Sequence, residues 1–269
     1  MSGLTEPAAQ RAAQAPAPAH PVYIYGVIPA ADARGWPEVS GLEGPSNTVR
    51  AVVQNDMAAL VSDLPPDHTP GRRDDIEAHQ RVLAQAIERG TTIPMRFGMV
   101  MDGDDMVRER LLAGHATQLG ELLSALDGHV QMMVKGFYAE NALLTDVLAE
   151  HPELAQESSA LAELSEVEAH AARVQLGERL AKEIDARRAQ VESALVERLS
   201  AVCAQVDVEP PNSDRVAISA QLLVRRDQRP TLDETIREMS EKLAGVIGFR
   251  YVGPLPPYSF ANLALEDVD

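Results

Sequence analysis

The residues whose chemistry could serve catalysis or metal binding are few and scattered along the chain. His68 and His79 flank Asp74, Asp75 and Glu77, side chains that can ligate a divalent cation when several converge. No His-x-x-x-His or His-Glu-x-x-His spacing sets two ligands on one helix face. Acidic residues at a helix start, here and at Asp104-Asp105, serve the ordinary purpose of offsetting free N–H groups. The single cysteine, Cys203, cannot form an internal disulfide and has no zinc-type spacing around it; it reads as a small buried residue. Phosphate-cradling loops of the Gly-x-x-x-x-Gly-Lys-Ser/Thr and Gly-x-Gly-x-x-Gly kinds are absent, as is Gly-x-Ser-x-Gly. The sequence therefore predicts a non-enzymatic protein with no catalytic residue, cofactor or metal.

Two stretches are harder to read as plain scaffold. Gly90 to Gly98 sets Pro94, Met95, Arg96 and Phe97 in a short apolar segment, and a proline without a ladder N–H belongs at a sheet edge or strand end. Near the C-terminus, Gly253 is followed by Pro254, Leu255, Pro256, Pro257, Tyr258, Ser259 and Phe260. Its three prolines fix φ and make the segment stiff, with little entropy left to lose. Tyr258 and Phe260 then either clamp the segment back across two domains or belong to a preorganised partner-binding strip. The clamp is favoured, because aromatic anchors stabilise an interface by simple area burial.

The elements that position these stretches follow from periodicity. Val22 to Ile28 is β-branched and aromatic, a buried strand. Thr48–Gln54 and Met57–Ser62 form a hairpin about Asn55-Asp56. Asp74 to Arg89 is a helix with Ile76, Val82, Leu83, Ala86 and Ile87 on its apolar positions, closed by Gly90, and Thr91–Phe97 is extended. A helix from Asp104 to Leu126 opens a second unit, followed by a strand over Val130–Tyr138. Helical pattern then runs from Asn141 to Gln205, broken at His151-Pro152. Leu161, Leu164, Ala171, Val174, Leu180, Ile184, Val191, Leu195, Leu199 and Val202 recur in it at near-heptad steps. A straight helix over 165–204 is about 60 Å long, so it protrudes or folds back near Gly177. It serves either as an internally packed arm or as a seam or tip for a partner helix. Strand (Arg215–Val224), helix (Thr231–Ala244) and strand (Val246–Val252) complete the pattern.

These elements predict an α+β protein of two domains. The expected limits are a disordered Ala/Pro-rich leader at 1–20, an N-terminal domain at 21–101, a C-terminal domain at 102–252 and a Pro-rich tail at 253–269. The second domain is expected to be close to a ferredoxin-like plan, with a long coiled-coil-like helical projection inserted over 153–205. Acidic residues number 41 against 24 basic ones, a formal charge of −17. That field opposes binding to nucleic acid or an anionic membrane, and no apolar run approaches the roughly 20 residues of a membrane span. A cytoplasmic protein is expected.

Several stretches resemble the gas vesicle protein F/L family. Tyr23-Ile24-Tyr25-Gly26-Val27-Ile28-Pro29-Ala30 is similar to its first strand. His79-Gln80-Arg81-Val82-Leu83 and then Thr92-Ile93-Pro94-Met95-Arg96-Phe97-Gly98 resemble its most recognisable block. Lys135-Gly136-Phe137-Tyr138 resembles its middle strand, and Gly253 to Phe260 its closing block. The resemblance implies an accessory protein needed to form gas vesicles, the hollow organelles that give some prokaryotes buoyancy. It implies a chaperone-like assembly factor associated with gas vesicles, whose partners are the hydrophobic wall protein, other accessory proteins, or both. A minor structural component retained in the mature vesicle is the alternative. It also implies two α+β domains with a helical projection, and no catalytic residues.

Overall fold

The computed structural model describes residues 20–43, 47–65, 67–163 and 165–262, without the side chains of 166–168. The leader expected over 1–20 lies outside them except for His20, as do Leu164 and the last seven residues of the expected tail. The chain is a mixture of helix and strand built on two antiparallel sheets.

The first sheet runs in the order β2-β3-β1-β4, from β1 (Val22–Pro29), β2 (Arg50–Gln54), β3 (Met57–Asp63) and β4 (Ile93–Pro94), with β5 (Val100–Met101) also on β1. β1 is buried on both faces, which is why it reads as an unbroken apolar run. Its register slips between Ile24 and Gly26, and this bulge changes which residues face which side. Tyr23, Tyr25 and Ile28 join Ala58 and Leu60 against α1 (Arg73–Arg89), while Val22, Ile24 and Val27 face the other way. Gly26 sits where a Cβ would come within 2.8 Å of the Ile93 carbonyl, so only glycine lets β4 lie this close. The hairpin turn falls at Asn55, with φ of 52°, as its residue types require.

The opposite face is covered by α2 (Gly103–Met106), a π-helical segment (Val107–Ala113) and α3 (Ala116–Leu126). Their Val107, Leu111, Leu112, Leu119, Leu123 and Leu126 share one core with Val22, Ile24, Val52 and Val61. Two expectations change here. The helix is not one regular cylinder: the wider π turn and the break at Gly114-His115 rotate it, holding on one face residues that would drift around a straight helix. And this helix packs on the first sheet, although the sequence boundary at 101/102 assigns it to the second unit.

The second sheet runs β7-β8-β6-β9, from β6 (His129–Tyr138), β7 (Gln205–Val208), β8 (Val216–Arg225) and β9 (Ile247–Leu255). One face is covered by α4 (Ala142–Glu150), α6 (Glu166–Ser200) and α7 (Arg229–Lys242), through Leu143, Leu195, Leu199, Leu232, Ile236 and Met239. Gly136 leaves room on that face for Ile218, Ile247 and Phe249, each within 3.2 Å of where its Cβ would stand. α6 is a single 35-residue helix of about 52 Å that passes straight through Gly177. The fold-back comes earlier: α5 (Pro152–Ala162) lies on its N-terminal half, where Leu154 and Leu161 meet Ala169 and Leu176. Val174, placed on the seam by periodicity, is half exposed.

Two further differences concern strands. β7 begins at Gln205, where the expected helical pattern ends, and covers residues to which the sequence assigns no strand, and β9 runs on through Gly253-Pro254-Leu255, which the sequence places in the tail. A bulge sets Gly253 and Pro254 opposite Met132, where Gly253 has φ of 151° and a Cβ would collide with the Met132 sulfur. Gly253→Ala is expected to cost about 1–3 kcal/mol in urea unfolding, since it adds both a clash and a strained φ. An unchanged midpoint would contradict this.

Candidate functional site at the junction of the sheets

The two stretches singled out by composition meet. Pro94 pairs with Gly26 at the sheet edge, and the Met95 N–H donates to the Tyr25 carbonyl at 2.9 Å. Arg96 points to solvent, and Phe97, 37 % exposed, lies edge-on to Tyr23 and His79. From the other side, Pro254 and Leu255 lie in β9, Pro256 and buried Pro257 make the turn, and the Tyr258 hydroxyl reaches the Met95 carbonyl at 3.4 Å. Phe260 packs on the core shared by the first sheet and α3.

At the centre stands His79, 2 % exposed on α1. Its Nδ1 is 2.9 Å from the Tyr23 hydroxyl and its Nε2 is 2.9 Å from the Tyr258 hydroxyl. The Gly98 N–H donates to the Tyr23 oxygen at 3.1 Å, so that hydroxyl's own proton is free to go to Nδ1. Nε2–H then donates to Tyr258, whose proton goes on to the Met95 carbonyl. One tautomer satisfies every group, which is what a buried polar chain needs. Burial pushes the His79 pKa down to about 4 and that of Tyr258 up to about 12, so both are neutral near pH 7. Groups titrating so far from neutrality are poor proton exchangers there and serve better as fixed hydrogen-bonding partners.

The other acidic and histidine residues are organised separately. Burial favours the protonated form of Asp75, but N–H bonds from Gly71 and Arg72 and the nearby His68 ring outweigh it and hold the pKa below the usual carboxylate range. His68 lies between Glu43 and Asp75, at 2.6 and 3.0 Å. It is therefore not brought to His79, and Asp75 caps its helix. Burial pushes the half-buried Cys203 thiol up to about 11, away from the reactive thiolate.

Sequence reasoning misses three further ties at the junction. Arg226, just after β8, donates to the carbonyls of Ile87 and Gly90 at the end of α1, where a cation is favoured. Thr91 donates to Asp127 at 3.0 Å. On β6 the buried Gln131 donates to Gln221 at 2.9 Å and accepts from the Ser259 N–H at 3.2 Å. Glutamines inside otherwise apolar strands were the available signal for this last tie.

The sequence profile described as "Gas vesicle synthesis protein GvpL/GvpF" matches residues 21–262, which contain every element above. The chain belongs to this family. Gas vesicle protein F of Streptomyces sp. (strain CB03234) is 36 % identical over 244 residues, covering 89 % of this chain and 99 % of that one. The crystal structure of gas vesicle protein GvpF from Anabaena sp. PCC7120 superposes with a TM-score of 0.77 at 23 % identity, over 91 % of this chain and 99 % of that one. That from Microcystis aeruginosa gives 0.68 at 23 % identity, over 90 % and 99 %. Membership of the GvpL/GvpF family gives the chain a role in gas vesicles. Among the described residues no helix is long and apolar enough to cross a membrane.

Proposed function

We propose that this chain is a non-enzymatic, cytoplasmic accessory protein for gas vesicle assembly, binding the hydrophobic wall protein, other accessory proteins, or both. The family match over residues 21–262 carries this reading, because the family is described by gas vesicle synthesis. The acidic excess supports it, since a strongly charged binder stays soluble beside an aggregation-prone client. The junction around His79 is read as an interdomain clamp. Its polar atoms are used up within the chain, and Tyr258 and Phe260 are anchored on the first sheet. The domains divide at Asp127-Gly128 on this reading, because α3 shares the core of the first sheet. The strand order of the second sheet, with α4 to α6 between its first two strands and α7 before its last, supports a ferredoxin-like second domain with a helical projection.

Co-expression with the wall protein and the remaining gas vesicle proteins, followed by affinity capture of this chain, tests the function. Recovery of the wall protein or another accessory protein is expected. Recovery of neither, with vesicles still forming after deletion of the chain, would overturn it. Retention of the chain on purified vesicles after a urea wash would instead mark a structural component of the mature vesicle.

A further inference from the structure

The face of the second sheet that carries no helix is closed at one end and open at the other. At the closed end Ser259 lies on Gln131, Gln131 bonds Gln221, and Gln221 and Ser219 both donate to Glu209, at 2.9 and 2.7 Å. These donors, Gln221 first, hold the Glu209 pKa below the usual carboxylate range against burial. Gln221 and Ser219 lie opposite Met133 and Lys135 on β8, and the cover gives out toward β9 and Phe137. There Met133 pairs with Val252 and Lys135 with Arg250, so these four side chains share one side with Phe137. Phe137 is 38 % and Val252 39 % exposed.

Lys135 and Arg250 stand directly opposite each other, and like charges in a cross-strand pair are destabilising. Among the described residues Arg250 has no ion-pair partner, while Lys135 shares the negative charge of Glu209, a carboxylate that Gln221 and Ser219 hold ionised. In a chain of net charge −17, a cross-strand cationic pair whose Arg250 lacks an ion-pair partner, set between exposed apolar side chains, calls for an anionic, part-apolar neighbour. The other face of this sheet is already covered by α4, α6 and α7. A helix is about 10 Å across, the spacing of two to three strands, so one helix from outside fits the open patch and completes a third layer.

We propose that Met133, Lys135, Phe137, Arg250 and Val252 form a docking surface for an amphipathic helix of a partner protein, with carboxylates flanking its apolar stripe. This deepens the assembly reading, and rests on it for the partner being a gas vesicle protein. The test uses the full chain and two fluorescein-labelled helical peptides of about 18 residues, or five turns, with identical leucine stripes. One carries flanking glutamates and the other lysines at the same positions, and binding is read by fluorescence anisotropy. The glutamate peptide is expected to bind, and Lys135→Glu with Arg250→Glu to weaken it by about tenfold or more while admitting the lysine peptide. Phe137→Ala should weaken both, with melting temperatures confirming the fold.

Equal binding of the two peptides, no binding of either, or indifference to charge reversal would overturn the surface. So would sedimentation showing that the chain dimerises through this patch, which would make a second copy the occupant. Capture from co-expression separates the two proposals. If wild type and the charge-reversed chain recover gas vesicle proteins equally, the surface is wrong and the function stands. If wild type recovers none, the function falls and the peptides still decide the surface.

Discussion

Lowering the pH from 7 to 4 is expected to remove about 3 kcal/mol of folding stability through His79 alone. The imidazole pKa is about 4 in the folded chain, against an ordinary value of 6.5, and burial is the cause. As pH falls through 6.5 the unfolded chain takes up a proton that the folded chain refuses. The stability is therefore complete above about 6.5, is lost progressively below it, and the loss levels off beneath 4. The groups around the ring are Tyr23, Tyr25 and Tyr258, which stay neutral throughout this window, and the Met95 carbonyl. Asp75, one turn away on α1, has its pKa lowered, so its contribution is lost in a more acidic range. His79→Gln keeps an amide within reach of Tyr258 and does not titrate. It should be less stable at pH 7 by about 1–2 kcal/mol yet lose about 3 kcal/mol less than the wild type between pH 7 and 4. Urea unfolding at stepped pH measures both; an equal slope in the variant would show that other groups carry the acid sensitivity.

How far the fold can be read from the sequence differs from element to element, for physical reasons. β1, the β2–β3 hairpin and α1 are legible because each is set by local chemistry: β-branched residues, a turn asparagine with positive φ, and Gly90 at the helix end. Ile76 illustrates the limit, since helical periodicity puts it with the core and the structure leaves it 42 % exposed. A stripe gives a face only to within a residue or so on each side. Of the two courses open to the long helix, protrusion or a fold-back near Gly177, the fold-back there is absent, because a lone glycine costs a helix only about 1 kcal/mol, less than the neighbouring turns supply. β7 is invisible because four alternating residues at a sheet edge carry little signal of their own, and β9 is truncated by the prolines that follow it. At the junction, composition marks Pro94 to Phe97 and Pro254 to Phe260 as unusual but cannot pair them. His79 and Tyr258 are 179 residues apart, and only the assembled sheets bring a scattered histidine between two tyrosines.

Removing residues 256–269, with β9 left whole, is expected to lower the melting temperature by roughly 10 °C. The cut belongs after Leu255, because one at 253 would also strip the last residues from β9 and confuse strand loss with anchor loss. It takes away the packing of Phe260, the Tyr258 bonds to His79 and Met95, and the Ser259 bond to Gln131. Partly burying two aromatic rings and making these bonds stabilises by about 3–4 kcal/mol, reduced because His79 regains access to water once Tyr258 is gone. The loss should be local. Amide exchange should quicken in Thr92–Gly98 and around Gln131, while α6 and α7, which pack on the far face of the second sheet, keep their protection. Unchanged melting and exchange would mean that the anchors add nothing to the junction. The same truncation discriminates between clamp and strip. A chain that loosens at the junction but still captures its gas vesicle partners uses the segment to hold itself together. One that keeps a tight junction and loses its partners presents the segment outward, and Phe97 and Tyr258, the exposed aromatics there, are then the side chains to substitute next.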